Sequence, residues 1–280
     1  MEALIFHEAA RDRPARDRHD VTGTAVRRRR GSPALGRGRH GRSSDGAGRA
    51  GYNAPTFSPR GPVSVLEARQ LAVSRDDRML FCGLDFRLSP GQVLQVAGPN
   101  GVGKTTLLSI VAGLCPAEAG GLWWQGCAVA DDPAAFRAAF TWLGHQPGLK
   151  LMLSARENLR WLAQLRGLAA ADADMEQALA RVDLQGYEDV PVARLSAGQK
   201  RRVALARLFL ERRPLWILDE PFTAIDRAGV AELEGWLRDH AAAGGLVLLT
   251  THHEFAPGFP VTRLNVADFR PAAGADGEAA

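Results

Sequence analysis

This 280-residue sequence predicts an α/β protein with a mostly parallel core sheet, and three observations carry the prediction. Gly91-Gln-Val-Leu-Gln-Val-Ala-Gly98 is a near-continuous apolar run entering a glycine loop. Strands covered on both faces by helices read this way. Leu215-Trp-Ile-Leu and Gly245-Leu-Val-Leu-Leu-Thr are two more such runs, and helical patterns lie between them. Strands alternating with helices place parallel strands side by side through crossover connections.

Taken in order, residues 1–62 stand apart. They hold 13 arginines against six acidic residues, whereas the remainder carries 22 basic against 25 acidic, so the net charge of +4 belongs to this leader. Rich in Arg, Gly, Ser and Pro, it cannot bury enough apolar surface to offset its ordering entropy. It is expected to be disordered and reads as an extension upstream of a start site, in preference to a basic arm for nucleic acid or anionic lipid. The mildly acidic body does not indicate a nucleic-acid-binding face.

From Val63 the alternation Val-Ser-Val-Leu-Glu-Ala predicts a half-buried strand. A helix over about 103–113 follows the glycine loop, and Trp123 and Trp124 are assigned to strand packing. A short strand leads to Gln146. Two helical patterns, about 155–166 and 171–182, then make residues 147–194 an inserted helical lobe. A helix runs from Ser196 to about Glu211, the strand 215–218 follows, and a helix over 230–240 precedes the strand 245–250. Residues 271–280 are expected to be disordered. Cys82, Cys115 and Cys127 lack metal-site spacing and read as small buried apolar residues. No run reaches the ~18–20 apolar residues of a membrane span, and no secretory signal is evident. A cytoplasmic chain is expected.

The loop Gly98, Pro99, Asn100, Gly101, Val102, Gly103, Lys104, Thr105 matches G-x-x-x-x-G-K-[ST] between a strand and a helix. Glycines let main-chain N–H groups close around phosphate oxygens at a helix N-terminus. Lys104 would reach the β- and γ-phosphates of ATP and the Thr105 hydroxyl would bind Mg²⁺; Thr106 completes the phosphate-binding set. Asp219 and Glu220 end an apolar strand, at the sheet edge where α/β ligands bind. Asp219 would hold Mg²⁺ and Glu220 would polarise the attacking water. Gln146, at the junction of two lobes, would touch Mg²⁺ or the water on closure. His252 at a strand end would bond the γ-phosphate, in preference to its neighbour His253. Asp226 would lie at a contact between partners.

Leu195-Ser-Ala-Gly-Gln-Lys-Arg-Arg opens a basic helix 13 residues before Leu215. Ser196 and the Gly198 N–H form an anion-binding helix start. Since Lys104 already serves the local phosphate, Ser196, Gly198 and Gln199 would act on the γ-phosphate held by another subunit. A plain N-cap would account for Ser196 but not for the Gly-Gln after it.

Together Gly98–Thr105, Gln146, the Ser196 turn, Asp219 with Glu220, Asp226 and His252 resemble the ATP-binding cassette (ABC) ATPases over about 63–265. The resemblance implies a phosphate-loop nucleotide-binding domain with a mostly parallel core sheet, a small antiparallel β subdomain and an inserted helical subdomain. It also implies a head-to-tail homodimer sandwiching two ATP molecules. Val65-Leu-Glu-Ala-Arg69, Leu143-Gly-His-Gln-Pro-Gly-Leu-Lys150 and Glu157-Asn-Leu159 are similar to the cytochrome c maturation branch, the haem exporter A type. That similarity implies polytopic membrane permease subunits on the cytoplasmic face of a bacterial inner membrane, with ATP hydrolysis supporting haem export or release of a haem-loaded chaperone. An exporter ATPase for another substrate is the alternative. Two departures stand out: Ala197 replaces a common glycine. Arg75, where many members stack an aromatic ring on adenine, would either stack its guanidinium there or stand as a solvated surface residue.

Overall fold

The computed structural model describes residues 65–270. The leader, the first two residues of the strand expected from Val63, and the tail lie outside the described residues. Strands β1 (Leu66–Arg75) and β2 (Arg78–Leu88) form a hairpin; β4 (Ala119–Trp124) and β5 (Cys127–Ala128) extend it into an antiparallel sheet ordered β2-β1-β4-β5. The second sheet is parallel throughout. It is ordered β6 (Phe140–Leu143), β7 (Leu215–Asp219), β8 (Leu246–Thr250), β3 (Val93–Ala97), β9 (Val261–Asn265).

The apolar runs are continuous because successive side chains enter two different cores. Ile217 and Leu248 join a cluster with Leu107, Leu108 and Phe81, between the two sheets and α1 (Lys104–Val111). Trp216, Leu218 and Leu249 face the other way, towards Leu159, Leu179, Val203 and Leu237. Those four lie on α3 (Ala155–Leu165), α4 (Asp172–Arg181), α5 (Ala197–Glu211) and α6 (Arg227–Ala242). A short helix α2 (Pro133–Ala139), capped by Asp132, precedes β6. Among the described residues no helix is long and apolar enough to cross a membrane.

Two expectations need correction. Cys82 and Cys127 are exposed and Cys115 is half-buried, so none is a core residue. Cys82 lies on the outward side of β2, whose inward places go to Phe81, Leu84, Phe86 and Leu88. The first strand runs on to Arg75, well past Ala68, through register shifts in its pairing with β2. Of the tryptophans, Trp124 is buried against Phe136, while Trp123 lies under the Arg69 guanidinium.

One buried polar ring gives the core a pH signature. His240 stacks on Trp216 with 3.8 Å between ring centroids, its Nε2 lies 3.1 Å from the Pro214 carbonyl, and burial pushes the imidazole down from 6.5 to about 4. Above pH 6.5 the ring is neutral in both states. As the pH falls towards 4 only the unfolded chain takes up the proton, so stability should drop by about 2 kcal/mol between pH 7 and pH 5. Urea melts of the chain and of His240→Gln at the two pH values check this: the variant should lose most of that slope, and an unchanged slope would refute it.

Candidate functional site

Because the second sheet is parallel, the C-terminal ends of β3, β6, β7 and β8 bring their following loops to one edge. The loop after β3 passes through φ values of 135° at Gly98, 74° at Gly101 and 107° at Gly103, a region glycine enters without strain. A Cβ at Gly98 would also come within 2.9 Å of Val102 Cγ1. The first bond of α1 joins the Leu107 N–H to the Gly103 carbonyl, so the N–H groups of Lys104, Thr105 and Thr106 precede the helical ladder. Lys104 folds back over the loop, its Nζ donating to the Gly98 carbonyl at 2.8 Å and the Pro99 carbonyl at 3.2 Å.

Asp219 closes β7 and is 1% exposed. Its Oδ1 accepts from Thr105 Oγ1 at 3.2 Å and from Thr250 Oγ1 at 2.6 Å. Thr250 thereby joins the ends of β7 and β8, and it also receives the Glu220 N–H, at 3.0 Å on Oγ1 and 3.2 Å on its carbonyl. Glu220 itself has φ 48°, an unfavourable angle for a side chain with a Cβ. Its carboxylate accepts the His252 main-chain N–H at 3.3 Å, and the His252 ring Nε2 lies 3.6 Å away. His253 turns elsewhere, to Glu234 Oε1 at 2.7 Å. Buried Gln95 donates to the Thr251 carbonyl at 3.2 Å and steadies the segment before His252.

These side chains share a cleft of about 600 Å³, lined by Asn100, Gly101, Gly103, Lys104, Thr105, Thr106, Glu220 and His252. Arg75 stands on its wall at the end of β1, where Asp76 and Asp77, with φ 52° and 57°, make a two-residue hairpin turn. Asp76, Arg78 and Leu80 line the cleft as well. The sequence alone assigns no role to these three or to Thr250, although Arg78 could have been found as the partner of Arg75 across that turn. The paired oxygens of Thr105 and Asp219 suit Mg²⁺, which prefers a few hard oxygen ligands and keeps water and phosphate for the rest.

Five expected residues, Gln146, Ser196, Gly198, Gln199 and Asp226, are not among those that line the cleft. Gln146 is exposed, two residues beyond Gly144 in the loop after β6. Ser196 caps α5: its Oγ accepts the Gln199 N–H at 3.2 Å, while the Ser196 N–H donates to Gln199 Oε1 at 2.9 Å. This reciprocal capping box corrects the expectation that a cap leaves the Gly-Gln unexplained. Gln199 completes the box, and a Cβ on Gly198 would lie 2.9 Å from the Ala224 carbonyl. Asp226 caps α6 by accepting the Gly229 N–H at 2.9 Å, and that bond, ahead of Arg202, holds its carboxyl below the usual range.

Comparison with known proteins bears on family and fold. A family model described as ABC transporter matches residues 81–223. The cytochrome c biogenesis ATP-binding export protein CcmA of Vibrio cholerae is 47% identical over 205 residues, which is 73% of this chain and 99% of that protein. The Pseudomonas putida protein of the same description is 53% identical over 188 residues, 67% of this chain and 89% of its own. Among solved structures, an ATP-binding subunit of an ABC transporter superposes with a TM-score of 0.61 at 28% identity, covering 67% of this chain and 79% of the other. An ATP-binding ABC transporter protein from Pyrococcus furiosus shares the fold, with a TM-score of 0.65 at 24% identity over 74% of this chain and all of the other.

Proposed function

Because the chain belongs to the ABC transporter ATP-binding family, we propose that it is the ATP-hydrolysing subunit of a transporter complex for cytochrome c biogenesis. The near full-length similarity to CcmA supports the cargo pathway, haem export or release of a haem-loaded chaperone. The observation that carries the chemistry is the junction of Thr105, Asp219 and Thr250, which joins the phosphate loop to the carboxylate strand end at 3.2 and 2.6 Å.

In this reading the loop and Lys104 receive the triphosphate, and Glu220 orients and polarises the attacking water. His252, hydrogen-bonded through its main chain to Glu220, faces the γ-phosphate. Thr105 and Asp219 would hold Mg²⁺, whose charge, when bound, offsets the charge developing between the β- and γ-phosphates. Arg75 covers the base. Ser196, Gly198 and Gln199 serve the nucleotide of a second copy, with Asp226 at the contact, because the cap lies outside its own subunit's cleft while Ser196 is exposed. Gln146 joins the site when the lobes close.

Membrane permease subunits at the cytoplasmic face of a bacterial inner membrane are the proposed partners. Leu151 and Met152, 54% and 86% exposed, lie in the same connection as Gln146. Buried Asn158 holds that connection through the Lys150 N–H at 2.7 Å and the Lys150, Leu153 and Ser154 carbonyls. Deleting the gene in its host should abolish haem-stained c-type cytochromes, and the parent chain but not Lys104→Ala should restore them. Normal cytochromes in the deletion strain would overturn the cargo reading while leaving hydrolysis untouched.

A further inference from the structure

Arg201 lies in α5 and is 3% exposed, yet the mechanism above does not use it. Taking a guanidinium out of water is costly unless every donor finds a partner. Here the donors go to main-chain carbonyls of two loops. Nη1 reaches Gly144 at 3.0 Å and His145 at 3.4 Å, directly before Gln146. Nη2 reaches Asp219 at 3.1 Å and Glu220 at 2.7 Å, and Nε reaches Pro221 at 3.2 Å. Burial draws the Arg201 pKa down, and the nearby Asp219 and Glu220 charges partly offset this.

Holding α5 to the sheet does not require such a group, because Val203, Leu205, Leu208 and Phe209 already bury that helix. What Arg201 adds is orientation. Glu220 sits at φ 48°, which persists only where its surroundings over-determine it. Thr250 fixes its N–H, and Arg201 fixes its carbonyl. Five residues upstream, the same helix begins at the Ser196 cap.

We propose that Arg201 is a positioning residue for hydrolysis, tying α5 to the Glu220 carbonyl and to the loop before Gln146. Movement of the Ser196 turn is thereby felt at the carboxylate and the glutamine of the same subunit. This rests on the reading of Glu220 as the residue that acts on water.

A double-mutant cycle in the full-length chain tests it. Arg201→Lys keeps the charge, but a point ammonium cannot span both loops. The substitution should lower kcat roughly 10- to 100-fold with KM for ATP within about twofold. In a Glu220→Gln background it should leave the residual rate unchanged within about twofold. Losses that multiply in the double variant, or a KM that rises as kcat falls, overturn the link through Glu220. A Glu220→Gln chain with the parent rate instead removes the premise, which separates the two failures. Hydrogen exchange in the unsubstituted chain needs no variant: amides at 144–146 and 219–223 should slow together when MgATP binds, and slowing in one segment alone overturns the proposal.

Discussion

Lys104→Ala is expected to reduce ATP turnover by about a thousandfold, the largest effect of any substitution considered for this chain. The ammonium lies over the phosphate loop, 2.8 Å from the Gly98 carbonyl and 3.2 Å from the Pro99 carbonyl, and in the proposed function it turns to a β- or γ-phosphate oxygen. A single preorganised donor aimed at developing negative charge contributes on the order of 10²–10³ in rate, and a full cation in a partly buried site stands at the upper end. Lys104 is half-buried at the start of α1 and the neighbouring loop is set by glycine angles rather than by this side chain. The variant should therefore fold, as its melting temperature will report. Release of inorganic phosphate measures the rate. Turnover within tenfold of the parent would mean that another group neutralises the phosphates.

Glu220→Gln is expected to lower hydrolysis about 10²–10³-fold while ATP binding persists, because general-base assistance is lost and shape is kept. The amide can still accept the His252 N–H, and the φ of 48° is imposed by main-chain bonds to Thr250 and Arg201 that the substitution leaves in place. With hydrolysis stalled, the closed state should accumulate as a dimer holding two nucleotides. Light scattering after gel filtration in MgATP reads this directly, since the mass should double from that of the 280-residue chain. A stalled variant that remains monomeric at saturating MgATP would contradict the two-copy sandwich without touching the role of Glu220.

The elements that could be read from the sequence were those with a one-sided physical cause. β3, β7 and β8 are buried on both faces, so their apolar runs have no other use. The phosphate loop needs glycine at particular angles, and that constraint prints itself as a motif. β9 escaped because it is an edge strand of mostly exposed residues, Val-Thr-Arg-Leu-Asn, with no alternation to detect. Helix α2 escaped because it spans only seven residues, although the Asp132 cap and Pro133 were a usable start signal. Thr250 and Arg201 were invisible for a different reason. Their work is defined by carbonyls and hydroxyls contributed by distant segments, and no local pattern records a partner that the fold supplies. The exposed cysteines show the converse, since residue type alone predicts burial only on average.

The capping box at Ser196 has a kinetic meaning. Hydroxyl, amide and two main-chain N–H groups of Ser196 and Gln199 already satisfy one another inside a single chain. A turn that is finished before its partner arrives has little conformational entropy left to lose on docking. In a sandwich of two copies, formation would then be governed by how often the faces meet and how well their charges steer them, not by a wait for loops to order. Reopening after hydrolysis would likewise leave the turn intact, ready for the next encounter.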